Sequence, residues 1–527
     1  MVFLSDYPEL VVLQTLAQRK KVSVYLVGGF LRDYLLGRPC FDTSAAFKPR
    51  PSGRGKVKPL SVNPEQAPGF PPKADPPSAD SPGTVEWVDL DFAVTQGAIA
   101  LARTFAKKIK GAFVLLDEEH GCARVARKRS GRIETFDFAD FRAPSLRADL
   151  SHRDFTINTL CVDIQKLQSA AELSEILIDL KHGLRDLRAK KIRMISTKVF
   201  HEDPLRLLRA YSLRAQLAFK IDPKTRAQIK KNRDLIRGVA YERIREELFK
   251  ILESDHTAEN LKAMDQIGLL VKIMPHISVM YHVKQGTYHH LDVWPHSLEA
   301  VLQLEKLCVE WEDNEEMMNY LKEPLSGQHS RRSILKLAAL LHDIGKPQTR
   351  KKEEGRISFH SHERVGKSIS RDLAKLLKLS SRERSVLELM VLWHLRPGYL
   401  SNFQQPSEKA VYRYFRDTRE EAASIALLSW ADQRATCGPM TTQRDQKHHE
   451  KICRNLIQRY FEKSKEKPIV RLLTGNDLIW SLKLKPSPLF GKILKAVEEA
   501  QALEKITTRE AALDFAAKMI SHEDKRD

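Results

Sequence analysis

The chain has 527 residues, 42% of them hydrophobic and 30% charged, with a formal net charge of +20. That length is a prior for about three or four domains, and the apolar content excludes a wholly disordered protein. No apolar run approaches the roughly 18 residues that span a bilayer, and residues 1–18 lack the basic start, apolar block and cleavage site of an export signal. The six cysteines (Cys40, Cys122, Cys161, Cys308, Cys437 and Cys453) are scattered without a C-x-x-C pair. That argues against a disulfide framework or a Cys-type zinc site and fits a reducing cytoplasm. The basic balance points to a polyanionic partner, although a surface that only aids solubility gives the same balance.

In chain order, helical periodicity runs over 8–19. Val22 to Val27 then form a short β-type run ending in Gly28-Gly29, and Phe30 to Leu36 read as a helix. Residues 41–84 are rich in Pro, Ser, Gly and Lys and poor in apolar side chains, which predicts a disordered insertion. WVDLDFAV reads as a strand, GAIALARTFAKKIK as a helix, and GAFVLLD, CARVARK and RIETFDFAD as three more strands. From about residue 165 nearly everything has helical period, as in YERIREELFKILES and RRSILKLAALLHDIG. The predicted class is α+β: a small α/β head followed by an extended all-helical body. Four segments are expected: a head over 1–165, a helical neck over 166–260, a third segment over 261–440 and a helical tail over 441–527.

Asp89 and Asp91 are two apart in a predicted strand, so both point to one face. Paired carboxylates hold hard divalent cations such as Mg²⁺, and two ions about 4 Å apart activate a hydroxyl and stabilise a leaving pyrophosphate. A lone D-x-D is more often solvated surface charge. Gly28-Gly29 closes a strand and opens a helix, where backbone N–H groups can approach phosphate oxygens and Arg32 on the first turn can reach them. By itself that is an ordinary strand-to-helix turn.

The combination is more specific. LVGGFLRDYLLGRP, then D-L-D, then LSHRDFTINTL resembles class II tRNA nucleotidyltransferases and bacterial poly(A) polymerases. Their nucleotidyltransferase head carries G-G-x-x-R-D, a D-x-D metal pair and R-R-D-F-T-x-N-A. The resemblance continues in IDLKHGLRDLRAKKIRMI and FHEDPLRLLRAYSLRAQLAF, covering residues 20–40 and 85–255. It implies that Asp89 and Asp91 are catalytic Mg²⁺ ligands. Gly28, Gly29 and Arg32 would serve the triphosphate, and Arg153, Asp154 and Asn158 the sugar and phosphates.

Glu202-Asp203-Pro204-Leu205-Arg206 matches the family's E-D-x-x-R element. Cytosine and adenine each offer an amino donor beside a ring-nitrogen acceptor. A carboxylate (Asp203) can accept from the amine while a guanidinium (Arg206) donates to the ring; uracil and guanine would repel both. Positions i and i+3 share a helix face. Asp203 before Pro204 is also a good helix cap, which is the plainer reading. Glu242, Arg243 and Glu246 resemble a family support element and read as scaffold.

Three departures stand out. The proline-rich insertion separates G-G-x-x-R-D from D-x-D, at a closure cost that grows only logarithmically with length. His152 replaces the first arginine of R-R-D, which weakens one expected phosphate contact. The stretch ADFRAPSLRADLSH is short where relatives that complete CCA carry a longer flexible loop, and it resembles those adding only the two cytidines.

Leu341-His342-Asp343-Ile344-Gly345-Lys346 resembles the HD phosphohydrolase motif. With His296 before it and His362, His394 and Asp432 after it, the order H…HD…H…H…D matches that family's ligand set, which marks 261–440 as an HD domain. Imidazole and carboxylate ligands suit Mn²⁺, Ni²⁺, Fe²⁺ or Zn²⁺. An inert helical domain is the alternative. His289 and His290 fall outside the set and read as surface, and the basic positions of the tail are expected at an RNA backbone. The resemblance implies a tRNA 3′-end nucleotidyltransferase using CTP and ATP without a nucleic-acid template, in the cytoplasm and away from membranes. Its rivals are a poly(A) polymerase on general RNA, a working HD phosphohydrolase with a degenerate head, and a non-enzymatic RNA-binding module.

Overall fold

A computed structural model describes residues 7–38, 87–129, 132–167, 173–286, 288–326, 329–353, 356–466 and 470–523. The segment 41–84 lies outside the described residues. By packing, the chain divides into two compact units, Met1–Lys250 and Ile251–Asp527, where the sequence suggested four segments.

The first unit is built on a seven-stranded mixed sheet in the order β3-β4-β5-β2-β1-β6-β7. The strands are β1 (Val24–Val27), β2 (Trp87–Val94), β3 (Ala112–Asp117), β4 (Cys122–Arg129), β5 (Arg132–Asp140), β6 (Cys161–Asp163) and β7 (Leu177–Ile178). Among the described strands of this sheet, only β2 and β5 pair in parallel. Helices α1 (Glu9–Lys20), α2 (Gly29–Leu35) and α3 (Ala98–Ile109) accompany them. Alternation along β2 sends Leu90 and Phe92 into the core, where Phe92 stacks on Phe138 and Phe105 of α3 meets Phe136 edge-on. The other face of the strand carries the aspartates. The two- and three-residue strands β6 and β7 are too short to leave a periodic signal, so the sequence does not announce that edge of the sheet.

Helical turns follow: α4 (Leu146–Asp149), α5 (Val199–Glu202), α6 (Arg206–Leu217) and α7 (Tyr241–Glu253). Glu247 on α7 is buried, accepting hydrogen bonds from Ser212 on α6 and from Lys250 at 2.8 Å. Burial alone would raise its carboxyl, but Lys250, Arg209 and Ser212 hold it down at about 2. A depressed carboxyl contributes stability that is present above the unfolded value and lost as pH falls through the folded one. Glu247→Gln is therefore expected to cost roughly 1–3 kcal/mol at neutral pH and to flatten the acid limb of a stability curve between about pH 5 and 2. Urea unfolding across that range measures both.

The second unit is helical. α8 (Val293–Glu310), α9 (Arg331–Leu341), α10 (His362–Leu376), α11 (Ser381–Trp393) and α12 (Ala422–Ala435) form its main body. Residues Ala422 to Ala431 are all buried, as expected of a helix apolar on every side at the centre of a bundle. α11 opens on a capping box between Ser380 and Glu383. The last helices, α13 (Gly475–Trp480), α14 (Pro488–Ala502) and α15 (Arg509–Glu523), wrap a separate small core containing Leu478, Ile493, Val497 and Ala512. Among the described residues no helix is long and apolar enough to cross a membrane.

Candidate functional site

The parallel register of β2 and β5 sets Asp91 beside Asp137 and Asp89 beside Thr135. One carboxylate oxygen from each of Asp89, Asp91 and Asp137 lies within 4.8 Å of the others. Thr135 Oγ1 donates to Asp89 Oδ1 at 2.6 Å. Arg124, opposite Asp137 on β4, donates Nε to Oδ1 at 2.6 Å and Nη2 to Oδ2 at 2.7 Å. Three hard oxygen donors on one strand face fit a divalent cation by chemistry as well as spacing. Sequence reasoning found two of the three. The third had a faint signal: in Phe136-Asp137-Phe138 the lone acid must face away from the aromatic core.

Gly28 ends β1 with φ of 88°, and a Cβ there would sit 2.8 Å from Asp91 Oδ2, so only glycine fits the turn. Arg153 Nη1 lies 3.7 Å from that Cβ position, and Arg153 Nε is buried without a hydrogen-bond partner. A buried guanidinium N–H left open beside a glycine turn suits an anionic oxygen. Arg32 is more constrained. Its Nε and Nη2 bond Asp33, and Nη1 donates to Asn158 Oδ1 at 2.9 Å, while the Gly29 Cβ position is 3.5 Å from its guanidinium. Asn158 Nδ2 donates in turn to Asp154 at 3.0 Å, and Arg209 Nε contacts Asp154 at 2.8 Å. Burial would raise the Asp154 carboxyl, but Arg209, Asn158 and the Phe155 N–H hold it below its usual range. Arg32, Asn158 and Asp154 thus form one hydrogen-bonded chain, with Arg153 outside it.

Asp203 and Arg206 do not pair as neighbours on one helix face. Asp203 ends α5 in extended conformation and Arg206 begins α6. Asp203 is not the helix cap expected from its place before Pro204: Leu205 holds the cap position of α6 and no side chain caps it, while Asp203 Oδ1 accepts from Leu205 N at 3.2 Å in a local turn and Oδ2 accepts from Arg243 Nη2 at 2.8 Å. Arg243, read as general scaffold, therefore touches a candidate selector directly. Arg206 is buried, donating Nη2 to the His152 carbonyl at 2.6 Å and Nη1 to the Val199 carbonyl at 3.2 Å and Glu202 Oε2 at 3.3 Å.

In the second unit all six predicted ligands converge, from five elements and their ends. His296, His342 and Asp432 form one group and Asp343, His362 and His394 another, each with ligand atoms within 4.8 Å. Asp343 links the two: Oδ2 approaches His342 Nε2 at 3.2 Å and Oδ1 approaches His362 Nε2 at 3.3 Å. The Nδ1 atoms of His342, His362 and His394 each lie 2.8 Å from the backbone carbonyl three residues earlier, which fixes Nδ1–H as donor and leaves Nε2 facing inward. His342 Nε2 is buried without an aligned hydrogen-bond partner. Burial works against a charge on His342, yet Asp343 and Asp432 raise it to about 10, so this spot attracts positive charge. Burial pushes His394 down to about 3 and keeps that imidazole neutral, as a ligand must be. The set fits a divalent transition metal.

One expectation here is corrected. His289 is not at the open surface. Its ring centroid is 4.8 Å from that of His296, and burial, with Lys346 and His296 nearby, pushes it down to about 3. His290 is exposed as expected.

The family model described as the poly A polymerase head domain matches residues 83–193. "Probable RNA and SrmB- binding site of polymerase A" matches 218–280, and the HD domain matches 293–437. The chain is 31% identical over 439 residues to the A-adding tRNA nucleotidyltransferase of Deinococcus radiodurans, covering 82% of this chain and 91% of that protein. It is 29% identical over 436 residues to the CC-adding tRNA nucleotidyltransferase of Thermus thermophilus, covering 81% and 88%. Among solved structures, the apo form I of a CCA-adding enzyme shares the fold with a TM-score of 0.58 at 17% identity, covering 99% of this chain and 94% of that one.

Proposed function

The chain belongs to the tRNA nucleotidyltransferase family, and from that premise we propose that it transfers CMP from CTP to the 3′-hydroxyl of a tRNA, with AMP from ATP as the other candidate substrate. The observation that carries this reading is the meeting of Asp89, Asp91 and Asp137 beside the Gly28 turn and the open Arg153 Nε. The 3′-hydroxyl releases its proton to solvent as its oxygen bonds to the α-phosphorus, the bond to the bridging oxygen breaks, and pyrophosphate leaves with the electron pair. Mg²⁺, held by the three carboxylates, would supply Lewis acidity for both oxygens. The chain's own groups do the placing. Backbone at Gly28 and Gly29, with Arg153 and the Arg32–Asn158–Asp154 chain, orient the triphosphate and sugar. Asp203 accepts from the exocyclic amine of C or A: a carboxylate has about four acceptor sites, and two bonds are already in use. Arg206 donates to the ring nitrogen.

The connection between β5 and the R-D-F element is short, holding the turn α4 and a 3-10 turn over Leu150–His152, and its shortness supports C addition. Extension of tRNA lacking its CCA end, with CTP alone, ATP alone and both, tests the product. Two cytidines and a stop, even with ATP, is the expected result. A full CCA end overturns the loop argument. Adenosine added only to a CC end marks an A-adding enzyme, tailing of unstructured RNA by ATP marks a poly(A) polymerase, and no extension overturns the reading. The four segments 1–165, 166–260, 261–440 and 441–527 are proposed as its functional divisions, with tRNA held by the basic helical body. The convergence of six ligands supports a second centre for metal-dependent phosphoester hydrolysis.

A further inference from the structure

The family's R-R-D element has His152 at its first position here, and the expected loss was a phosphate contact. The side chain faces elsewhere. His152 Nδ1 lies 3.3 Å from Glu202 Oε1, with 44% of the imidazole and 32% of the carboxylate side chain exposed. The other oxygen of Glu202 accepts from Arg206 Nη1 at 3.3 Å, and the carbonyl of His152 itself accepts from Arg206 Nη2 at 2.6 Å. Of the three acceptors that fix the Arg206 guanidinium, one is the backbone carbonyl of residue 152 and another is the carboxylate that its side chain contacts.

We propose that His152 is a positioning residue for base selection, acting through Glu202 on Arg206. The inference rests on the reading of Asp203 and Arg206 as base selectors. Arg206 carries five N–H donors, three of which are engaged as described; Nε–H and the second Nη2–H make no hydrogen bond among the described residues. Those two donors suit the adjacent O2 and N3 acceptors of cytosine, or N1 of adenine, whereas uracil presents N3–H. Their aim depends on the plane of the guanidinium. Histidine shares Glu202 by a single contact and leaves the carboxylate to Arg206. Arginine, the residue usual at this position in the family, would take the carboxylate with a planar two-donor fork and draw it away.

The test compares wild type, His152→Arg, His152→Ala and Glu202→Gln for equilibrium binding of CTP against UTP and for single incorporation from each. The preference for CTP over UTP is expected to fall about fivefold to tenfold in each variant, the size of one hydrogen bond. In the double variant His152→Ala with Glu202→Gln the two losses should not add, because they act through one contact. A phosphate role predicts the opposite pattern: CTP and UTP change by the same factor, and His152→Arg strengthens both. An unchanged ratio, or additive losses, overturns the proposal. His152→Gln, which keeps a donor near Glu202, serves if the alanine variant fails to fold, and it should retain most of the preference. A wild type that prefers CTP in binding but extends no tRNA would strike the transfer reading alone, leaving the binding ratio to decide this one.

Discussion

Asp89→Ala is expected to reduce nucleotidyl transfer on the order of 10³-fold or more, since it removes charge aimed at the reacting phosphate, while leaving tRNA affinity and thermal stability near wild type. The asymmetry follows from the surroundings. Asp89 is exposed and receives a hydrogen bond from Thr135, so its loss opens no core. Asp137 is different. It is buried and held by Nε and Nη2 of Arg124. Removing one partner of a buried pair leaves the other uncompensated, at a cost of about 3–5 kcal/mol. Asp137→Ala therefore combines lost stability with lost activity. The double variant Arg124→Met with Asp137→Leu restores packing and should recover much of the stability without the transfer. Primer-extension rates beside melting temperatures and tRNA binding separate these cases. Full transfer by pure Asp89→Ala protein would remove the carboxylates from the mechanism.

The contrast between Asp89 and Asp137 also explains what could be read from sequence. Alternation in WVDLDFAV is local, so the shared face of Asp89 and Asp91 follows from period two alone. Asp137 joins them through the parallel register of β5 on β2, a long-range pairing that no local pattern encodes. The HD ligands were legible because their types and order along the chain are distinctive. Arg243 on Asp203, and His152 on Glu202, were hidden for the same reason as Asp137: contacts forty or fifty residues apart depend on how α5, α6 and α7 pack. His289 was misplaced because a polar His-His pair before a helix looks like loop surface until the loop folds over His296.

The second large effect concerns Asp343. Its two oxygens face different groups, Oδ2 toward His342 and His296 and Oδ1 toward His362 and His394. Asp343, whose Oδ2 also meets Lys346 Nζ at 2.6 Å, would serve both groups, and the two groups of ligands together predict two bound transition-metal ions for each chain. Asp343→Ala should therefore strip both ions, whereas His394→Ala, which touches only the second group, should strip one. Metal content after gel filtration, with binding isotherms for Mn²⁺ and Ni²⁺, measures this directly. Binding only to the folded chain raises stability by about 2.7 kcal/mol at a hundredfold excess over Kd, so wild type should melt higher with metal and Asp343→Ala should not respond. Affinity should fall as pH drops, because protons and metal compete for the same imidazoles. If the centre hydrolyses phosphoesters, phosphate release from a generic aryl phosphate vanishes in Asp343→Ala while tRNA extension persists, since Asp89, Asp91 and Asp137 are untouched. Metal in neither wild type nor Asp343→Ala would leave these six residues as a polar core, and equal metal in both would remove Asp343 from the ligand set. Against the first outcome stand three imidazoles with their Nδ1 atoms fixed on backbone carbonyls and their Nε2 atoms turned inward, the arrangement that metal-ligating histidines adopt.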